Sequence, residues 1–376
     1  MAVRVALCAF ISLVVVMGIG RFAFTPQVPL MINEHQLSLT SASLVAACNY
    51  LGYLCGSYDA MRASRHIQQR LLAGIAGTVL LTLLSACVSA AWLHGVIRFL
   101  AGWASGWGLV LVAAWSNERL GHRPGLSAAV FAGPGAGIVL CGMLAWMLHR
   151  HGVSAAEGWF ACGVLALILL LPVMRYLPAK GEVHGNAPAA EPLVISGALK
   201  RLVWSYSLAG FGYILPATFL SQLALSRFPH SPLSQFVWPL FGGAAVVGIA
   251  LGIATRHLGH ASQRLALTLW LQALGILCAG QLQGISGLVT GAVLIGGGFL
   301  NVVQLTLLVA RELAPRHNRY MAGLLTTGYA IGQLVGPVFS ALSTALSGRL
   351  EPALYLAGAG LLLAGLLVWR CDAGSK

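Results

Sequence analysis

A single arginine inside an apolar run poses the first chemical question. In VVVMGIGRFAFTPQVPLM, residues 14–31, Arg21 follows sixteen uncharged residues, Val5 to Gly20, and precedes apolar chain interrupted by Pro26 and Pro29. An arginine at mid-membrane depth costs about 2.5–3.5 kcal/mol on insertion scales, so something must offset it. One offset is structural, through backbone carbonyls freed by the two prolines or through nearby tyrosine hydroxyls. The other is a ligand, because the guanidinium is a fork of donors suited to carboxylate or phosphate. None of the nine acids falls near the centre of an apolar run, which leaves room for an anion to supply the missing charge.

Other polar residues are paired at helical spacing. Arg21 with Thr25, Asn49 with Tyr53, Tyr206 with Tyr213, Asn301 with Gln304, and Tyr329 with Gln333 stand three, four or seven residues apart. Such spacing puts each pair on one helical face. These faces are expected to line a shared interior, with Arg21, Thr25, Asn49, Tyr53, Tyr213, Asn301, Gln304 and Gln333 contacting a solute. Trp107 and Trp103 share a face and offer a stacking surface, although an aromatic stripe more often serves packing. Arg98 is expected near a helix end, where its long side chain can reach headgroups, with packing or charge-relay roles favoured over direct substrate contact.

The elements that must hold these residues follow from composition. Of 376 residues 58% are hydrophobic and 8% charged, far from the roughly 25% charged fraction of soluble domains. Twelve apolar runs, centred near residues 18, 49, 80, 104, 136, 167, 211, 244, 273, 298, 332 and 362, are each long enough to cross a bilayer as a helix. The first run continues well past Arg21 and is expected to be an uncleaved helix rather than a signal peptide. A polar stretch at 178–198, rich in Pro, Gly and Ala, divides the chain into 1–177 and 199–376 as a linker between two six-helix bundles. The halves look related: GIGRFAF at Gly18 answers to GFGYILP at Gly210, and AGPGAGIVLCG around Gly133 to TGYAIGQLVGP around Gly328.

The formal charge of +13 invites a polyanion partner, but its distribution points elsewhere. If the chain alternates sides, seventeen lysines and arginines fall on one side and only Arg150, Arg227 and Arg349 on the other. That asymmetry encodes orientation, with both termini cytoplasmic, and needs no nucleic acid. Eight cysteines without a CxxC pair imply neither disulfides nor a zinc framework, and no metal or cofactor is expected. No GxxxxGK loop is present, so nucleotide-driven chemistry is not expected within this chain. No Ser/His pair or paired carboxylate occupies the runs, so an enzyme is not expected either.

With these residues in view, the chain resembles the major facilitator superfamily, and GIGRFAFTPQVPLM with NYLGYLCG at Asn49 resembles its YbfB/YjiJ-like branch. The fourth-helix pattern of that superfamily is matched by Arg98, Gly102 and Gly106, and the fifth-helix pattern by Gly133, Pro134 and Gly137. Its inner loop between helices two and three is matched in part by Asp59, Arg62 and Arg65, with one glycine displaced and another absent; Asp59 near Arg62 permits an inner-side charge latch. The resemblance implies an all-α integral membrane protein of twelve helices in two pseudo-symmetric bundles, working by alternating access.

The expected function is a secondary active or facilitative transporter of a small organic anion, with a coupling proton left open. The alternative is efflux of neutral or hydrophobic compounds. The chain is expected as a monomer in the bilayer of a bacterial inner membrane. If the orientation holds, cysteines introduced at 178–198 are shielded from membrane-impermeant thiol reagents in intact cells. Labelling there overturns the assignment.

Overall fold

The computed structural model describes residues 2–63, 65–120, 122–178, 196–282, 284–314, 318–369 and 371. Twelve long helical segments account for them. They are α1 (Ala2–Asn33), α2 (Leu39–Arg62), α3 (Ile67–Cys87), α4 (Ala91–Leu120), α5 (Gly125–His149) and α6 (Ala155–Tyr176), then α7 (Gly197–Arg227), α8 (Val237–Ala254), α9 (Ala261–Gln281), α10 (Ile285–Leu313), α11 (Asn318–Ser347) and α12 (Glu351–Val368). Every expected centre lies inside one of them. Ten are apolar enough to cross a membrane by composition; α2 and α9, of 24 and 21 residues, are long enough but more polar. Most of the expected linker, 179–195, lies outside the described residues.

The helix starts follow local chemistry. Ser38 caps α2 and Ser154 caps α6, each in a reciprocal capping box, and Ser196 accepts the Leu199 N–H at the start of α7. The polar-poor α6 and α12 are turned largely outward, with Phe160, Ile168 and Leu366 exposed, as their lack of hydrogen-bonding side chains requires of a lipid-facing surface.

Close helix pairing rests on glycine. Without a driving force to leave lipid, helices associate through backbone approach at small residues. A Cβ on Gly102 would run into the Asn49 carbonyl, and one on Gly106 would lie 2.7 Å from Ser57 N, so α4 lies directly against α2. In the second half Gly248 meets the Gly297 backbone, bringing α8 against α10. The paired motifs of the two halves are also paired in space: Gly18 of α1 lies against Gly137 of α5, and Gly210 of α7 against Tyr329 of α11. Gly133 faces the Phe10 carbonyl, and Pro134 lines the central cavity.

The two bundles meet along α2 with α11 and α5 with α8. At the second contact Gly135 faces the Gly242 carbonyl and Gly142 the Pro239 ring. Between the bundles lies a cavity of about 500 Å³. Its lining runs from Arg21, Tyr213 and Gln333 at mid-depth to Met61, Ile67, Glu118 and Arg311, at the face where α1 begins and α2, α4 and α10 end. We call this the basic face. Towards the opposite face the bundles are closed by hydrogen bonds: Thr40 with Thr344 and Ser43 with Ser340 at 3.1 Å, Tyr50 with Thr218 at 3.1 Å, and Thr25 donating to the Ala217 carbonyl at 2.7 Å.

The α1–α5 contact has little slack, because a Cβ at position 137 would sit 2.5 Å from Gly18 Cα and 2.7 Å from the Val14 carbonyl. Gly137→Leu is expected to destabilise the protein by about 1–3 kcal/mol, read as a lowered unfolding temperature. Gly243, with nothing within 4 Å of its added Cβ, is the control. Gly243→Ala should leave that temperature unchanged or raise it, since alanine is the better helix former.

Candidate functional site

The site begins with a fault in α1. After Leu13 the helix widens into a π-helical turn, Val14–Ile19, loses regular pairing over residues 20–23, and resumes at Phe24. Thr25 N–H bonds back to the Phe22 carbonyl rather than to Arg21, and Pro26 has no N–H to offer. Unpaired carbonyls inside a membrane cost several kcal/mol each, so a donor must come from elsewhere. Arg98 of α4 supplies it, its Nη1 donating to the Gly20 carbonyl and its Nη2 to the Arg21 carbonyl, both at 2.7 Å. Its guanidinium also lies over the Phe24 and Trp159 rings, at 5.4 and 5.7 Å. This corrects the sequence expectation for Arg98. The side chain is 2% exposed and turns inward, because two orphaned carbonyls are nearer than any headgroup.

With its own carbonyl held by Arg98, Arg21 projects into the cavity between the bundles. It is 3% exposed. Its Nη2 donates to Gln333 Oε1 at 2.6 Å, and Gln333 Nε2 donates in turn to the Tyr213 hydroxyl at 2.6 Å. The guanidinium carbon lies 4.0 Å from the centre of the Tyr53 ring and 4.8 Å from that of Tyr50. Its Nε has no hydrogen-bond partner, and among the described residues no ion pair involves Arg21. Desolvated cation–π contacts contribute about 2 kcal/mol each, and a hydrogen bond from a charged donor about 1.5–3. Together these more than offset the insertion cost of about 2.5–3.5 kcal/mol without neutralising the charge.

The opposite wall is aromatic. Tyr206, Tyr329, Tyr213 and Phe299 form a ladder with ring centres 4.3, 5.6 and 4.6 Å apart and planes within 21° at every step. Tyr329 of α11 is held between Tyr206 and Tyr213, two turns apart on α7. Phe22 closes the far end edge-on against Phe299 at 5.7 Å. The inner ring faces are spent on one another.

Residues 13–369 match the family model described as "Uncharacterised MFS-type transporter YbfB". The chain belongs to that family. It is a multi-pass membrane transporter with a small-molecule substrate and not an enzyme. Its fold is similar to the crystal structure of a mutant of the nucleoside transporter NupG, with a TM-score of 0.71 over 98% of this chain and 99% of that one. Identity is 12%, so the likeness concerns the major facilitator fold alone. No curated protein matches the sequence.

Within this transporter the candidate residues separate into groups. Arg21, Tyr53, Tyr213 and Gln333 converge on the central cavity. Thr25 serves the closed side through Ala217. Asn49 is buried between α2 and α4, donating to the Arg98 carbonyl at 2.8 Å, because two helices this close must satisfy an amide locally. Trp107 does not line the cavity; its indole donates to Asp59 Oδ2 at 2.7 Å. Asn301 and Gln304 line a second cleft that adjoins the central cavity, the two sharing Asn117, Phe131, Leu307 and Arg311. The charge latch also differs from expectation. Asp59 pairs with Arg70 at 2.8 Å, Arg62 turns to the Tyr58 hydroxyl at 2.6 Å, and Arg65 contributes only a carbonyl to Arg70. Arg62 and Tyr58 are one turn apart on the same helix, whereas Arg70 reaches across from α3. Sequence reasoning missed Phe299 and Tyr50 as site residues, since lone aromatics in apolar runs carry no distinguishing signal.

Removing the Arg98 clamp orphans two buried carbonyls at about 1–3 kcal/mol each. Arg98→Met is expected to lower stability by about 2–6 kcal/mol, measurable as a large fall in unfolding temperature of the purified protein.

Proposed function

We propose that this transporter moves a small organic anion by alternating access, with Arg21 as the anchor for the negative group. One observation carries the reading: a buried guanidinium opens on a cavity with an unpartnered Nε and no carboxylate in ion-pair contact among the described residues. Gln333 and the Tyr213 hydroxyl are placed to orient the substrate beside it. The rest of the wall, including Met17, Leu109, Leu300 and Val303, is apolar and suits a small hydrocarbon body. The two rigid units are 1–177 and 199–376, joined by 178–198. The transporter works as a monomer in a bacterial inner membrane, its basic face cytoplasmic by the positive-inside rule. The cavity then opens inward in this structure, with the bonds of Thr40, Ser43 and Tyr50 closing the outside.

Among the described residues the mid-depth cavity lining carries no carboxylate, and Glu118 stands towards the basic face. Proton coupling through a central acid therefore has no group to use here, and exchange or facilitated diffusion fits the site more simply. A second reading, transport of neutral amphiphiles, is favoured only by the apolar walls.

Metabolites divided by charge should discriminate these readings in a thermal-shift screen of the purified protein. Anions are expected to stabilise and neutral analogues to do little. Arg21→Gln should weaken binding of a stabilising anion by about 100-fold or more, the loss of about 3 kcal/mol expected for a charge-assisted contact. Arg21→Lys should keep part of it. Unchanged anion binding by a folded Arg21→Gln protein rejects the anchor role.

A further inference from the structure

A second cleft, of about 310 Å³, lies between the bundles at the basic face. One wall is the α4–α5 turn, with Asn117 and Ser127; the other is the basic ends of α8, α9 and α10, with Arg256, Arg264, Arg311 and Gln304. Gln304 Nε2 crosses the cleft to the Ala128 carbonyl at a long 3.5 Å.

The pseudo-symmetry of the halves shows what this cleft lacks. In the first half α2 passes α4 at Gly56, and Asp59, about one turn on, receives Arg70 from α3 at 2.8 Å. In the second half α8 passes α10 at Gly252, and the residue one turn on is Arg256, a base where the first half has an acid. Arg264 reaches in from α9 as Arg70 does from α3, but meets no carboxylate. Its Nη2 settles on the Gly252 carbonyl at 2.7 Å and its Nη1 on the Arg256 carbonyl at 3.3 Å. No ion pair among the described residues involves Arg256, Arg264 or Arg311. Three guanidinium groups and three amides thus surround a space with no carboxylate among the described residues that line it.

We infer that this cleft binds a phosphate-bearing anion, the chemistry shared by inorganic phosphate and an anionic phospholipid headgroup. Bidentate guanidinium recognition suits phosphate oxygens, and the anion takes the place that Asp59 fills in the other half. The site is independent of Arg21, and an occupant would bridge the two bundles at the basic face.

The test uses the full-length protein in a neutral detergent and reads its unfolding temperature. One arm compares sodium phosphate with sodium chloride at equal ionic strength. The other compares added dioleoylphosphatidylglycerol with dioleoylphosphatidylcholine. Stabilisation by the phosphatidylglycerol alone assigns the site to a headgroup; stabilisation by phosphate as well means that the free anion suffices. Arg256→Gln, at an exposed position, should weaken the response at least five-fold in midpoint concentration. Arg264→Lys, which keeps the charge and loses the fork, should weaken it too. Arg4→Gln, on the same face but outside the cleft, and Arg21→Gln should retain it. No stabilisation in either arm, or an equal loss in Arg4→Gln, overturns the inference.

Discussion

The structure turns on two hydrogen bonds from Arg98 to the carbonyls of Gly20 and Arg21. A helix crossing a bilayer cannot leave carbonyls unpaired, and α1 does so just where its sequence combines Gly18, Gly20 and Pro26. The break is tolerated because α4 brings a guanidinium to the gap, and α4 can do so because Gly102 and Gly106 let it lie directly on α2. Gly137 of α5 supports the same place from another side. The glycine motifs of the fourth and fifth helices therefore act together, holding a broken first helix with one of its side chains aimed at the cavity.

Two arginines at similar depth have opposite roles, and the difference is in their partners. Arg98 has both terminal nitrogens on backbone carbonyls and is fixed in one bundle. Arg21 has a short hydrogen bond to Gln333, which belongs to the other bundle. The remaining stabilisation of Arg21 comes from the faces of Tyr53 and Tyr50, which support a cation without consuming its donors. One guanidinium is built into the scaffold, while the other keeps donor capacity in hand.

The architecture was largely legible because it rests on length and composition: twelve apolar runs became twelve helices. The repeat between Gly18 and Gly210 and between Gly133 and Gly328 was legible as similarity, but only the structure shows that the two motifs within each half touch. At the site, periodicity placed Tyr213, Tyr329 and Gln333 on interior faces. It could not say which interior, because a helix in a bundle has more than one polar neighbour. Asn49 and Thr25 were spent on packing partners, and Asn301 and Gln304 on an adjoining cleft. Arg98 was misplaced for a related reason: distance along a helix says how deep a Cα lies, not whether an orphaned carbonyl waits nearby. The Asp59 latch chose Arg70 over Arg62 because its partner comes from a neighbouring helix, a relation that local spacing does not encode.

The Arg21–Gln333 bond also bears on how occupancy and movement could be linked. It is one of the polar ties between the bundles, and it lies deeper than the closing bonds at Thr40 and Ser43. A carboxylate engaging the guanidinium in fork geometry would compete with Gln333 for Nη2, since a neutral amide is the weaker acceptor. Gln333 would then be free to donate to the same ligand while keeping its link to Tyr213, so the tie between bundles would run through the substrate. A ligand shifts a conformational equilibrium only by its difference in affinity between states. An anion held jointly by α1 and α11 has such a difference by construction, because rocking the bundles changes the separation of its two supports.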